Sequence, residues 1–191
     1  MNYGFIYCLG NECMPGVYKI GMSSRSPRAR CDELSSATGV PAAFQLLFYG
    51  DVQDARLAEV EAHNFFASCR VSENREFFRA DIQEIREYFQ IASDSFCTTN
   101  EGKHALMASD HIDRFHSARS PEERAKALID LAFIEGVRLW SEGGVIQSSV
   151  SDHSEMTYAL YAAVLSADPL LIDRLPSEPF TPKQAIQFEE F

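Results

Sequence analysis

Gly4-Phe5-Ile6-Tyr7-Cys8-Leu9 and Gly16-Val17-Tyr18-Lys19-Ile20-Gly21-Met22 are the two stretches whose reading decides the fold. Both are short runs rich in β-branched and aromatic residues. The segment between them, Gly10-Asn11-Glu12-Cys13-Met14-Pro15, is full of turn formers, so the two runs read as an antiparallel hairpin. Tyr7 on the first strand and Tyr18-Lys19 on the second are expected to project from a common sheet face.

Outward from the hairpin, Ser26-Pro27-Arg28-Ala29-Arg30 opens a helix. Ser26 is expected to cap it, and Pro27 suits the first helical position. This helix is expected to end near Thr38-Gly39-Val40-Pro41. Phe44 to Tyr49 reads as a third strand, and Asp54 to Ser68 as a second helix. That helix carries Leu57, Val60 and Phe65 with Ala58, Ala62 and Phe66 as apolar positions. Glu59 and His63 lie four apart on one face. Asn74 to Arg79 is a short extended piece, and Asp81 to Gln90 a third helix.

The second half reads as mostly helical. Ser120-Pro121-Glu122-Glu123 is a helix start with a capping pattern. Apolar residues at helical spacing follow as far as Leu139, and Gly143-Gly144 is the expected stop. Another helix is expected from Glu155 to Ala167, ended by Asp168-Pro169, before a tail bearing Pro179 and Pro182. The polar stretch around Ser93-Asp94-Ser95 and Thr98 to Gly102 reads as a seam. The expected division is therefore 1–92, a linker at 93–103, and a helical region at 104–191.

The 191 residues are 46% hydrophobic and 24% charged, which excludes wholesale disorder. The net charge of −11 speaks against general adhesion to nucleic acid or anionic membranes. It is unevenly spread: −3 over residues 1–92 and −8 over 93–191. The acidic half is accordingly a poor phosphate binder and a candidate surface for a protein partner or self-association. Five dispersed cysteines fit reduced thiols better than a disulfide framework. Cys97, His104, His111 and His116 lack the paired spacing of a structural zinc site. No run approaches the ~18 apolar residues of a membrane span. The first residues lack the pattern of a signal peptide, so a cytoplasmic location and no membrane partner are expected.

Cleaving a phosphodiester needs an activator for the nucleophile, a cation for the phosphate oxygens and a carboxylate to hold a metal. Arg30 lies about one turn into its helix, near the positive end, where guanidinium and helix dipole both favour phosphate. Glu59 comes from the following helix. Spacing alone does not single these residues out. A strand aromatic, a solvated helix arginine paired with Asp32 or Glu33, and a surface glutamate are their ordinary readings.

Taken in order, Gly4-Phe5-Ile6-Tyr7, Tyr18-Lys19-Ile20-Gly21, Arg30 and Glu59 resemble the GIY-YIG nuclease superfamily. The likeness is to its phage and bacterial branch with KIG in place of YIG. Met14-Pro15-Gly16, Arg25-Ser26-Pro27, Leu34 to Pro41 and Asn74 to Phe78 extend it over roughly residues 3–90. Phe5 is an extra residue inside the first motif. The resemblance implies an α+β fold, a small three-stranded antiparallel sheet flanked by helices, followed here by the mostly α-helical C-terminal region. It implies a metal-dependent nuclease acting on nucleic acid, DNA being favoured. Tyr7 would be the general base, with a Lys19 ammonium favouring its phenolate. Arg30 would hold the scissile phosphate, and Glu59 would bind Mg²⁺ or Mn²⁺. Tyr18 and His63 complete the implied catalytic set, and Arg25 and Arg28 join Arg30 in contacting nucleic acid. The alternative is a module that keeps the fold and binds nucleic acid or a protein without cutting.

Overall fold

The structure is a computed structural model that describes residues 2–37, 39, 42–150 and 156–179. The chain divides after Leu106 into two units.

The first unit contains β1 (Gly4–Gly10), β2 (Tyr18–Ser23), α1 (Pro27–Ser35), β3 (Gln45–Val52), α2 (Ala55–Phe65), a 3₁₀ turn (Ala67–Cys69), β4 (Phe77–Phe78), α3 (Ile82–Ala92), β5 (Ser95–Thr98) and the start of α4 (Asn100–Ser117). The expected hairpin is present, with Tyr7 opposite Gly21 and Leu9 opposite Lys19. Its turn is organised by Asn11, whose side chain accepts from the Cys13 N–H at 2.9 Å and donates to the Ala42 carbonyl at 2.6 Å. Gly16 then takes a φ of +68°, which glycine adopts without steric cost.

The sheet has five strands, not three, in the order β4-β2-β1-β3-β5, and every pairing is antiparallel. Both additions lie at the edges. β4 is two residues long, too short to show a period. β5 lies in the polar stretch expected to be a linker, yet it pairs along β3 from Phe48–Thr98 to Asp51–Ser95. Thr99 ties this segment down further, since its hydroxyl contacts the Leu46 carbonyl at 2.5 Å and the Leu47 carbonyl at 3.0 Å. The boundary accordingly falls later than residues 93–103.

Alternation along β1 builds two cores, one on each face of the sheet. Ile6 and Cys8 pack with Ile20, Ala55, Ala58, Ala62, Phe66 and the α3 residues Ile82, Ile85 and Phe89. Tyr7 and Leu9 pack with Cys31 of α1 and Leu46 of β3. Asp54 caps α2 and Asp81 caps α3 by accepting from the N–H groups of Leu57 and Gln83. Ser26 departs from expectation: it precedes Pro27 but makes no capping bond with its side chain. α1 ends at Ser35, and Thr38, Val40 and Pro41 lie outside the described residues. α2 also buries a narrower stripe than the sequence pattern implied. Ala55, Ala58 and Ala62 face the sheet, whereas Leu57, Val60 and Phe65 are exposed.

The second unit holds the remainder of α4, α5 (Pro121–Ile134), a hairpin of β6 (Leu139–Glu142) and β7 (Val145–Ser148), α6 (Tyr158–Leu165) and α7 (Pro169–Ile172). Its core gathers Phe115, Leu128, Leu131, Leu139, Leu160 and Leu171. The helix from Pro121 stops earlier than expected. Gly136 has a φ of +71°, with Gly136 N–H on the Phe133 carbonyl and Val137 N–H on the Ala132 carbonyl, a Schellman end. Gly143 and Gly144, with φ of +61° and +77°, are instead the turn of the β6–β7 hairpin. Asp168-Pro169 opens α7, with Asp168 accepting from the Leu171 N–H. Glu155, the expected start of the preceding helix, and Pro182 lie outside the described residues. Among the described residues no helix is long and apolar enough to cross a membrane.

Candidate functional site

Tyr7 is 2% exposed, at the centre of the sheet face beneath α1. Its ring lies across Gly21: a Cβ there would stand 2.7 Å from the Tyr7 hydroxyl oxygen. The glycine is what makes room for the phenol. Burial pushes the hydroxyl pKa up, and the hydrogen bond and charge of Arg30 pull against that rise without cancelling it. Arg30 thus takes the part that the sequence reading gave to Lys19.

The register puts Lys19 and Gly21 on the Tyr7 face, and hence Tyr18 on the other. Tyr18 packs against the α2–α3 core, where burial drives its hydroxyl pKa far up. The expectation that Tyr18 shares a face with Tyr7 is therefore corrected. With a period of two, adjacent residues cannot both point one way.

Lys19 is 8% exposed and is the only buried charged residue among the described residues. Its ammonium is paired with the Glu76 carboxylate and sits 5.8 Å from the centre of the Phe77 ring. Sequence reasoning did not assign a role to Glu76. Despite burial, which raises its pKa, the Lys19 bond and charge hold its carboxyl below the ordinary value.

Because β4 covers only Tyr18 and Lys19, the outer edge of β2 needs other partners beyond them. The Ile20 N–H donates to the Glu76 carbonyl at 3.1 Å. α2 supplies the rest. His63 Nε2 lies 2.9 Å from the Ile20 carbonyl and donates to it, and the Met22 N–H donates to Glu59 Oε1 at 3.0 Å. The helical spacing of four lets Glu59 and His63 reach successive edge positions of the strand. Half-buried Glu59 has its pKa raised by burial and then by Glu76, against the opposing pull of His63, Met22 N–H and Lys19.

Tyr7, Lys19, Arg30, Glu59, His63 and Glu76 thus form one electrostatic network. The other arginines stand differently. Arg25 and Arg30 share Glu33, at 2.7 and 3.1 Å, and Arg28 pairs with Glu101 at 2.9 Å. Only Arg30 of the three touches Tyr7.

Among the described residues no group of three His, Cys, Asp or Glu side chains is arranged to hold a metal. The donor present is a single carboxylate, Glu59, with Oε1 on a backbone N–H and Oε2 left to offer. With Glu76 taken up by Lys19, this donor set does not fit tetrahedral zinc, and a hard cation that keeps most of its waters is the ion that would ask least of it.

Residues 4–93 match the T5orf172 domain family. This corrects the resemblance drawn from the sequence motifs: T5orf172 is a family distinct from GIY-YIG, found in some nuclease-like proteins. Comparison with curated proteins and with solved structures gives no match.

Proposed function

We propose that the first unit is a metal-dependent phosphodiesterase acting on nucleic acid, DNA by preference. The observation that supports this reading is the presence, around β1 and β2, of a buried tyrosine with an arginine beside it and of a half-buried carboxylate on the outer edge of β2. Arg30 would bind the scissile phosphate with a charge-assisted contact that strengthens as negative charge develops. Tyr7, held over Gly21, would accept the proton of the attacking water. Glu59 would hold Mg²⁺ or Mn²⁺, which when bound would stabilise the leaving oxygen. His63 would fix the position of α2 against β2, and so the place of Glu59.

The test is incubation of the full chain with labelled DNA and RNA, with Mg²⁺, Mn²⁺ or EDTA. Metal-dependent cutting is expected, and Glu59→Gln should abolish it. Glutamine keeps an oxygen for the Met22 N–H, so its fold and melting temperature should change little. Binding without cutting, or cutting by Glu59→Gln at the wild-type rate, would overturn the enzymatic reading in favour of a binding module.

A further inference from the structure

Glu33 gathers two arginines that come from different places in the chain. Arg25 lies just past the end of β2, where its N–H donates to the Ser23 hydroxyl at 3.1 Å. Arg30 and Glu33 lie one turn apart on α1. Each guanidinium takes a different oxygen of the same carboxylate: Arg25 donates to Oε1 at 2.7 Å, and Arg30 to Oε2 at 3.1 Å. Arg28, between them in sequence, does not join; it donates to Glu101. Two cations are thus set around one oxyanion with two acceptor oxygens. The two non-bridging oxygens of a phosphodiester offer guanidinium groups the same kind of pair.

The exposure of the three groups decides what this arrangement can do. The side chains of Arg25, Glu33 and Arg30 are 69%, 41% and 40% exposed. Ion pairs in contact with water are weak, so an incoming anion can reach these and exchange for the carboxylate. The Lys19–Glu76 pair differs, because its lysine is nearly buried.

We propose that Glu33 is an internal stand-in for a nucleic-acid phosphate, holding the subsite between Arg25 and Arg30 until a backbone phosphate displaces it. This rests on the reading of Arg30 as the phosphate-binding residue. The carboxylate keeps the two guanidinium groups together and competes for them at the same time. A lone phosphate ion has to displace it unaided. A strand already held by neighbouring contacts presents its phosphate at a high effective concentration, so the subsite favours a polyanion over a small one.

The experiment is equilibrium binding of labelled DNA and RNA to the full chain in EDTA at low ionic strength. Glu33→Gln removes the competitor and should bind about threefold to tenfold more tightly, the scale of losing one or two exposed ion pairs. Its melting temperature should stay within about 2 °C of wild type for the same reason. Asp32→Asn removes a neighbouring exposed charge and should change affinity less than about twofold. In an Arg25→Gln background, the gain from Glu33→Gln should be at least about twofold smaller, because one guanidinium fewer is set free. Affinity in Glu33→Gln equal to or below that of wild type would overturn the proposal, making Glu33 a support for the arginines and not a competitor. An equal gain in Asp32→Asn, or a gain undiminished by Arg25→Gln, would overturn it in favour of general charge repulsion. Those results leave the phosphate role of Arg30 standing. Failure of wild type to bind either nucleic acid would overturn both.

Discussion

Two opposed influences act on the Tyr7 hydroxyl. Burial raises its pKa and Arg30 lowers it, leaving it above the ordinary value. A tyrosine that accepts a proton must first lose its own, so the active fraction grows as pH rises toward that pKa. Single-turnover cleavage in Mg²⁺ should therefore increase through neutral pH and continue into the alkaline range. Arg30→Ala removes the downward pull and should move the rise to higher pH. It should also weaken binding in Ca²⁺ by about 1.5–3 kcal/mol, the scale of a charged hydrogen bond. Tyr7→Phe should slow cleavage and flatten the profile with little change in binding. If Tyr7→Phe loses affinity as steeply as rate, Tyr7 is a contact and not a base. At this scale Tyr7, Arg30 and Glu59 were singled out only through the GIY-YIG resemblance, which the T5orf172 match replaces; what the structure adds is where they stand, Arg30 beside Tyr7 and Glu59 on the β2 edge. Glu76 was not visible as a partner of Lys19, since 57 residues separate them and a two-residue strand brings them together.

At the scale of elements, β2 places the site. Gly21 exists there as space for the Tyr7 ring, and its substitution tests that geometry. Gly21→Ala puts a Cβ within 2.7–3.1 Å of the Tyr7 hydroxyl oxygen and two of its ring atoms and must displace it. Cleavage should fall by at least tenfold, on the order of the cost of a misplaced reacting group. The melting temperature should fall by several degrees, as overpacking of a core commonly costs ~1–3 kcal/mol. Wild-type activity in Gly21→Ala would show that Tyr7 need not lie where it does. The central strands were readable from the sequence because their apolar runs are bounded by turn residues. The edge strands were less so: β4 lies within the extended piece read over 74–79, but two residues did not reveal its pairing, and β5, with Ser and Thr at its ends, was read as a linker. The α5 boundary was misplaced for a related reason. Val137 and Leu139 continue a helical period by coincidence, and the actual stop is the single glycine at 136.

At the scale of the whole molecule, the division after Leu106 carries its own test. A fragment of residues 1–106 should fold and show a cooperative thermal transition. A fragment ending at Ala92 leaves one edge of β3 without its partner and the Leu46 and Leu47 carbonyls without Thr99. It should melt at a lower temperature and be less soluble. In the full chain, limited proteolysis should spare 95–102, which the sequence had marked as a linker. Early cleavage there would contradict the placement of β5.

The closure of the β2 edge has a consequence for how this protein ages and evolves. An open strand edge is a template on which another chain can add and keep adding. Here the groups that blunt it are Glu59 and His63 themselves. Drift that deletes both side chains would strip a guard against strand-by-strand polymerisation. Glutamine or asparagine in their place still offers hydrogen-bonding groups to the strand, so substitutions of that kind keep the edge covered.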